Sequence, residues 1–317
     1  MRSPNRFVPF VVAGLLGLAA GCHQPGGVAP PAEAGRGRVF AVTFQVMNNP
    51  FFPDLNEGIK QVVEAHGDQL ITLDAQWNST KQMNDISDMI QQEVAGIFIN
   101  PVNWKSIRGS LLRARQKNIP CIIVDAPAED AALALCTVAS DNVKAGRLAG
   151  EALLRARRPA KVVILHHSVN KACLDRVAGF REAIGSRADV EILDVQEGKG
   201  TIEGSRPVMR DLVGRFPELN AVFAINDPSA LGAISALESV GKLSGVTIVT
   251  VDGSQEGVAA IKAGKLLSTS AQFPKEIGQI AAEKMYDHLA GKAVDKEVTV
   301  RVELITGENA DSLLKKE

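Results

Sequence analysis

Seven polar residues stand at the ends of short apolar runs. Asn100 closes GIFIN, Asp125 closes PCIIVD, Asp141 follows VAS, Asn226 and Asp227 close AVFAIND, Asp252 ends VTIVTVD and Gln272 ends LSTSAQ. Carboxylates accept hydrogen bonds and amides both donate and accept, so such a set can line a polar ligand cleft. Each residue alone reads as readily as a helix cap or turn former. Seven on one edge favour the cleft, because ligands of open α/β sheets bind outside the carboxyl ends of the strands. A second feature is VMNNPFFPDLNEGI, where Phe51 and Phe52 stand together in a chain only 4% aromatic. Asn48, Asn49, Pro50 and Pro53 around them are loop formers, so the rings are expected in a loop, outside any strand or helix core.

Groupings with catalytic potential are weak. His166, His167 and Ser168 follow an apolar run, but no GxSxG elbow or matched acid accompanies them. Adjacent histidines on a strand point to opposite faces and do not chelate together, so structural or loop histidines are expected. EGKGTIEGS (Glu197 to Ser205) lacks the GxxxxGK[ST] frame and reads as a solvated loop. No GxGxxG follows the first strand, so no cofactor is expected. Trp77 and Trp104 each follow a strand and could stack on a ligand or cap the surface.

Lys+Arg 35 against Asp+Glu 36 argues against nucleic acid or an anionic membrane surface as partner. The first 21 residues have the parts of a secretory signal: Arg2 and Arg6, the apolar run Phe7–Ala20, then Gly21 and Cys22. LAAGC resembles a lipoprotein cleavage site, with Ala19 where such sites usually carry Leu. Cys22 is therefore expected to carry a lipid, with residues 22–37, rich in Pro, Gly and Ala, as a tether. Cys121, Cys136 and Cys173 match no zinc spacing. A Cys121–Cys136 disulfide is one reading, and buried free thiols the expected one.

The elements that must position these residues alternate. Ten β-branched apolar runs, from VFAVTF (Val39 to Phe44) to LSTSAQ (Leu267 to Gln272), suit parallel strands covered on both faces. Helical patterns lie between them: Leu55 to Gly67, Ser79 to Val94 capped by Ser79, and KAGRLAGEALLRA, AGFREAI, VMRDLVGRF, SALGAISALESVG, EGVAAIKAG and IGQIAAEKMYDHLAG. That alternation means βαβ units, and ten strands are too many for one ordinary sheet, so two α/β lobes are expected.

VTFQVMNNPFF, LITLDAQWNSTKQMNDISDMI, GIFINP, IPCIIVD, VASDN, PELNAVFAIND, VTIVTVDGS and TSAQFPKEIG occur in order. Together they resemble the ribose-type sugar-binding proteins of bacterial ABC transporters, relatives of the lactose-repressor ligand core. The resemblance covers about Arg38 to Leu304. It implies two Rossmann-like α/β lobes with parallel sheets, joined by a three-segment hinge in the type I periplasmic binding protein arrangement. Residues 38–140 plus 273–299 would form the first lobe, and 141–272 plus 300–310 the second. Family ligand contacts map onto Asn49, Phe51, Phe52, Asp125, Arg176, Asn226, Asp252 and Gln272. Aromatic rings would cover the C–H faces of a sugar while carboxylates, amides and Arg serve its hydroxyl rim.

The pattern is broken in three places: Ala126 stands where the ribose proteins have Arg, Gln45 where they have Ser, and Gly200 where they have a stacking aromatic. A pentose or hexose other than ribose, or a polyol, is therefore within expectation. The implied function is a monomeric periplasmic or surface-tethered binding lipoprotein that is not an enzyme, carrying a monosaccharide to an ABC permease. Reporting to a chemoreceptor or sensor kinase is the alternative. A lactose-repressor-type regulator would need a helix-turn-helix where the signal and tether stand.

Overall fold

The computed structural model describes residues 37–313, so the expected signal, Cys22 and nearly all of the tether lie outside the described residues. Strands β1 (Val39–Phe44), β2 (Gln69–Asp74), β3 (Gly96–Ile99), β4 (Cys121–Val124), β5 (Cys136–Ser140) and β11 (Glu297–Val300) form one sheet. Its order is β11-β5-β4-β3-β1-β2, parallel throughout. Strands β6 (Ala160–His166), β7 (Val190–Glu197), β8 (Ala221–Ala224), β9 (Thr247–Asp252), β10 (Ser268–Ala271) and β12 (Glu303–Thr306) form the second. Its order is β12-β10-β9-β8-β6-β7, with only β12 antiparallel.

The helices are α1 (Phe51–Ala65), α2 (Ser79–Gln91), α3 (Arg108–Gln116), α4 (Asn142–Ala156), α5 (Lys171–Ile184), α6 (Ile202–Arg215), α7 (Asp227–Ser239), α8 (Gln255–Lys262), α9 (Pro274–Leu289) and α10 (Ala310–Leu313). Successive residues of a strand serve opposite faces. Phe40, Val42 and Phe44 of β1 therefore join one core cluster with Phe98 and Ile277, while Ala41 joins another with Ile97, Ile99 and Ile123. Val163 and Leu165 likewise part from Val162 and Ile164 across the second sheet. Both faces of each sheet are covered, which is why the strands read as nearly continuous apolar runs.

The two-lobe α/β architecture is the one expected, with differences in detail. Helix α1 begins at Phe51, so the two phenylalanines open a helix instead of sitting in a loop. Pro50 and Pro53 allow this, because proline is tolerated in the first turn, where N–H groups have no helical partner. Asn78, not Ser79, caps α2, its side chain accepting from the Lys81 amide. Part of the expected Glu197–Ser205 loop is the first turn of α6, capped by Thr201. Helix α3 was not expected, since only Ser110, Leu111 and Ala114 of its nine residues are buried. Strands β11 and β12 were missed too: each is four residues long, at a sheet edge, with one buried position. Cys121, Cys136 and Cys173 are buried free thiols.

The chain passes between the sheets three times: from β5 into α4, from β10 into α9, and between Val300 and Glu303. Within the second lobe α4 and α5 touch backbone to backbone. A Cβ on Gly146 would overlap the carbonyl of Arg176, and one on Gly179 would overlap that of Val143. In the first lobe Gly58 and Gly278 bring α1 against α9 in the same way. No described helix is long and apolar enough to cross a membrane.

Candidate functional site

Asp252, the last residue of β9, is the hub of a buried polar network. Its Oδ1 accepts from Gln272 Nε2 at 2.8 Å and from Arg176 Nη1 at 3.4 Å, and its Oδ2 accepts from the Asp227 amide at 3.4 Å. Arg176 comes from α5 and is 4% exposed. Its Nε donates to Asn142 Oδ1 at 2.8 Å and its Nη1 to the Ile225 carbonyl at 2.9 Å, so the guanidinium is fixed. Facing this group from the first lobe, Asp125 follows β4 and is 4% exposed, accepting from Asn100 Nδ2 at 2.9 Å. Asn100, wholly buried, also accepts from the Gln45 amide at 3.1 Å. Asp125 and Asp252 both have positive φ, 66° and 133°, a conformation that non-glycine residues adopt only when their surroundings impose it.

One guanidinium is set among three buried carboxylates. Burial pushes Asp125 up to about 6, with the charge of Asp252 adding to the rise and Arg176 and Asn100 opposing it. Burial and the neighbouring Asp252 push Asp227 up to about 7, against hydrogen bonds from Ser254 and Thr269. Asp252 is raised by burial as well, partly offset by Arg176 and Gln272. A carboxyl with a raised folded-state pKa holds a proton that the unfolded chain has released, so its contribution is present at low pH and lost as pH rises through the folded value. The melting temperature of the unliganded protein is therefore expected to fall between pH 5 and pH 7.5. The lowered group Glu197, at about 2, changes only below that window. Thermal melts would check this, and a flat profile, or one unaltered in Asp125→Asn, would contradict it.

A cavity of about 490 Å³ opens between the lobes beside this network. Asn49, Phe51, Asp54 and Trp77 line it from the first lobe, and Gly200, Glu203, Asp252 and Ser254 from the second, with Gln272 and Pro274 at the pass into α9. Four of the eight mapped residues thus reach its wall: Asn49, Phe51, Asp252 and Gln272. Arg176 is bonded directly to Asp252, and Asp125 feels the charges of both. Asn226 caps α7 by accepting from the Ser229 amide at 3.0 Å, and its Nδ2 donates to the Gly200 carbonyl at 3.0 Å. Phe52 is the exception. It is 3% exposed and packs in the first-lobe core against Phe44 at 5.7 Å, with Phe51 edge-on to it at 5.4 Å. Asn49 Oδ1 accepts from the Phe51 amide at 3.0 Å, which fixes the start of α1.

Of the remaining strand-end residues, Asp141 is a helix cap, accepting from the Lys144 amide. Asp227 is bound by Ser254 and Thr269 beneath the site. Trp77 lines the cavity, whereas Trp104 lies under the Lys105 ammonium and donates its backbone N–H to the Val169 carbonyl of the other lobe. Gln45 and Asn170 also meet across the lobes, Asn170 Nδ2 donating to Gln45 Oε1 at 3.5 Å. The Oε1 of Gln272 is buried without a protein partner, a costly arrangement that a ligand donor would relieve. No cluster of residues suited to a metal ion occurs among the described residues.

The periplasmic binding protein domain model matches residues 40–293. Ribose import binding protein RbsB of Bacillus subtilis (strain 168) is 34% identical over 296 residues, covering 91% of this chain and 94% of that protein. RbsB of Escherichia coli (strain K12) is 33% identical over 267 residues, covering 84% and 89%. The crystal structure of an ABC transporter solute binding protein from Bacillus halodurans C-125 with bound myo-inositol superposes with a TM-score of 0.82 at 26% identity. The match covers 89% of this chain and 99% of that one. A match across most of the chain, with curated relatives aligned over nearly their full lengths, shows that the chain belongs to the periplasmic binding protein family.

Proposed function

We propose that this protein is the solute-binding component of a sugar ABC importer, holding one monosaccharide or cyclic polyol in the interlobe cavity. The observation that carries this reading is the pairing, at one cavity, of an apolar ring, Phe51, with the Asp252–Arg176–Gln272 network. A sugar has C–H faces for the ring and a hydroxyl rim for carboxylate, guanidinium and amide. The names of relatives support it: two import ribose, and a structural neighbour holds myo-inositol. Asn49 and Phe51 would bind from the first lobe with Asp125 behind them, and Arg176, Asn226, Asp252 and Gln272 from the second. Phe52 would act by seating Phe51.

Desolvating three carboxylates without a ligand is costly, so the lobes, 38–140 plus 273–299 and 141–272 plus 300–310, would close mainly when sugar completes the hydrogen bonds. Bending at the three passes would accomplish this and present a new surface to the permease. The protein would act as a monomer and catalyse no reaction. The test is a thermal-shift screen against D-ribose, D-allose, L-arabinose, D-galactose, xylitol and myo-inositol. A ligand with a Kd of ~10 µM at ~1 mM adds about 2.7 kcal/mol of stability, a readily measured rise in Tm. A folded protein that no sugar or polyol shifts would overturn the assignment.

A periplasmic location with a lipid on Cys22 belongs to the same proposal. Cys22→Ser is expected to move the protein from the membrane fraction to the soluble fraction on immunoblots. Retention in the membrane fraction would count against lipidation.

A further inference from the structure

Two aromatic rings stand on the cavity wall, Phe51 and Trp77, and both belong to the first lobe. The second lobe supplies none, and at Gly200 its wall is bare backbone with φ of 67°. Phe51 opens α1, whereas Trp77 belongs to no helix or strand. It lies in the connection between β2 and α2, where Gln76 and Trp77 both have positive φ, 53° and 59°. Two consecutive non-glycine residues in that region are costly and persist only where their surroundings impose it. Two bonds do so here: Asp74 Oδ1 accepts from the Gln76 amide at 2.7 Å, and the Gln45 carbonyl accepts from the Trp77 amide at 2.7 Å.

This strained turn holds the indole at the seam between the lobes. The residue is half-buried and packs on the first-lobe core cluster that contains Phe51. Its ring meets the His167 imidazole of the second lobe at 5.7 Å and 89°. A hydrogen bond between His167 Nδ1 and Glu197 Oε1 at 3.0 Å fixes that imidazole. Gly200 neighbours the same ring, since a Cβ there would come within 4.0 Å of His167 Cδ2. Trp77 and Gly200 therefore flank one side chain across the seam, and Gly200 contributes no side chain that would cover the indole.

We propose that Trp77 is a specificity-determining residue, its indole covering a C–H face of the ligand beside Phe51, so that the first lobe supplies all of the aromatic contact. This rests on reading the cavity as a sugar site and deepens that reading by naming the ligand class. The favoured ligands are cyclic, because a ring holds its C–H groups in a flat face that an indole can cover and an open chain does not. The hydroxyl rim is left to the Asp252–Arg176–Gln272 network.

The experiment is calorimetry on the wild type, Trp77→Leu and Trp77→Phe with the six compounds named above, of which xylitol alone is acyclic. One aromatic contact corresponds to roughly a tenfold change in affinity. The wild type is expected to bind its best cyclic ligand about tenfold or more tighter than xylitol. In Trp77→Leu the cyclic ligand weakens by about tenfold and its advantage over xylitol shrinks, while Trp77→Phe, which keeps a ring, restores part of both. The chain has two tryptophans, so Trp104→Phe leaves Trp77 as the sole indole. In that protein, saturated with the best cyclic ligand, nuclear Overhauser contacts are expected between the indole protons and C–H protons of the ligand. These contacts, the wild-type preference and Trp77→Phe decide the matter if Trp77→Leu does not fold. Absent contacts, xylitol as the strongest binder, or an unchanged cyclic advantage in Trp77→Leu overturns the role of Trp77 and leaves the sugar site standing. A folded wild type that binds none of the six overturns both.

Discussion

Asp252→Ala is expected to abolish ligand binding while leaving the protein folded. The carboxylate accepts from Gln272 and Arg176 through one oxygen and from the Asp227 amide through the other. Without it Arg176 keeps its burial but loses its nearest charge partner, and a sugar hydroxyl loses its acceptor. Truncating one member of a buried, hydrogen-bonded charge pair costs about 2–5 kcal/mol of binding, roughly 30-fold to several thousand-fold in Kd. The fold should survive because the same carboxylate opposes ionisation of Asp227, so its loss relieves a like-charge contact. Calorimetry and circular dichroism on one preparation would separate the effects, and an affinity within threefold of the wild type would sink the assigned site.

Gly146→Val is expected to lower both stability and affinity, although the residue touches no ligand. A side chain at Gly146 would overlap the backbone of Arg176, the arginine whose guanidinium reaches Asp252. Backbone cannot yield as a flexible side chain does, so α5 must move away from α4. Overpacking of this kind costs about 1–3 kcal/mol, and displacement by a fraction of an ångström weakens a fixed hydrogen bond. The expected result is a melting temperature lower by several degrees together with weaker sugar binding. A variant that melts and binds like the wild type would show that the close approach of α4 and α5 does not hold Arg176 in place.

The alternation of strands and helices was legible because both faces of each sheet are buried, which makes the strands β-branched and apolar over most of their length. Elements at the edges were not. β11 and β12 bury one position each and α3 a narrow stripe, so little periodicity marks them. At the site, Asp125, Asp252 and Gln272 could be read from their position at strand ends. Asn226 and Asp141 have the same signature and also serve as caps, since the groups that complete a helix are those that grip a polar molecule. Arg176 lies mid-helix and only resemblance singled it out. Phe51 and Phe52 share a local sequence and one core cluster, yet only Phe51 also reaches the cavity wall. The hydrogen bond of His167 to Glu197 was not legible, because the two lie thirty positions apart and meet only in three dimensions.

The three passes of the chain between the sheets bear on how this molecule is made. Strand β11 pairs with β5, Thr137 opposite Glu297, and β12 pairs with β10, Ser268 opposite Thr306. A nascent chain that has emerged only as far as β10 therefore lacks one edge strand of each sheet, since β11 and β12 come last. Pairing across so long a separation must first overcome the entropy of closing the intervening loop, which slows folding. Both sheets thus reach their full width only when residues 297–306 are in place.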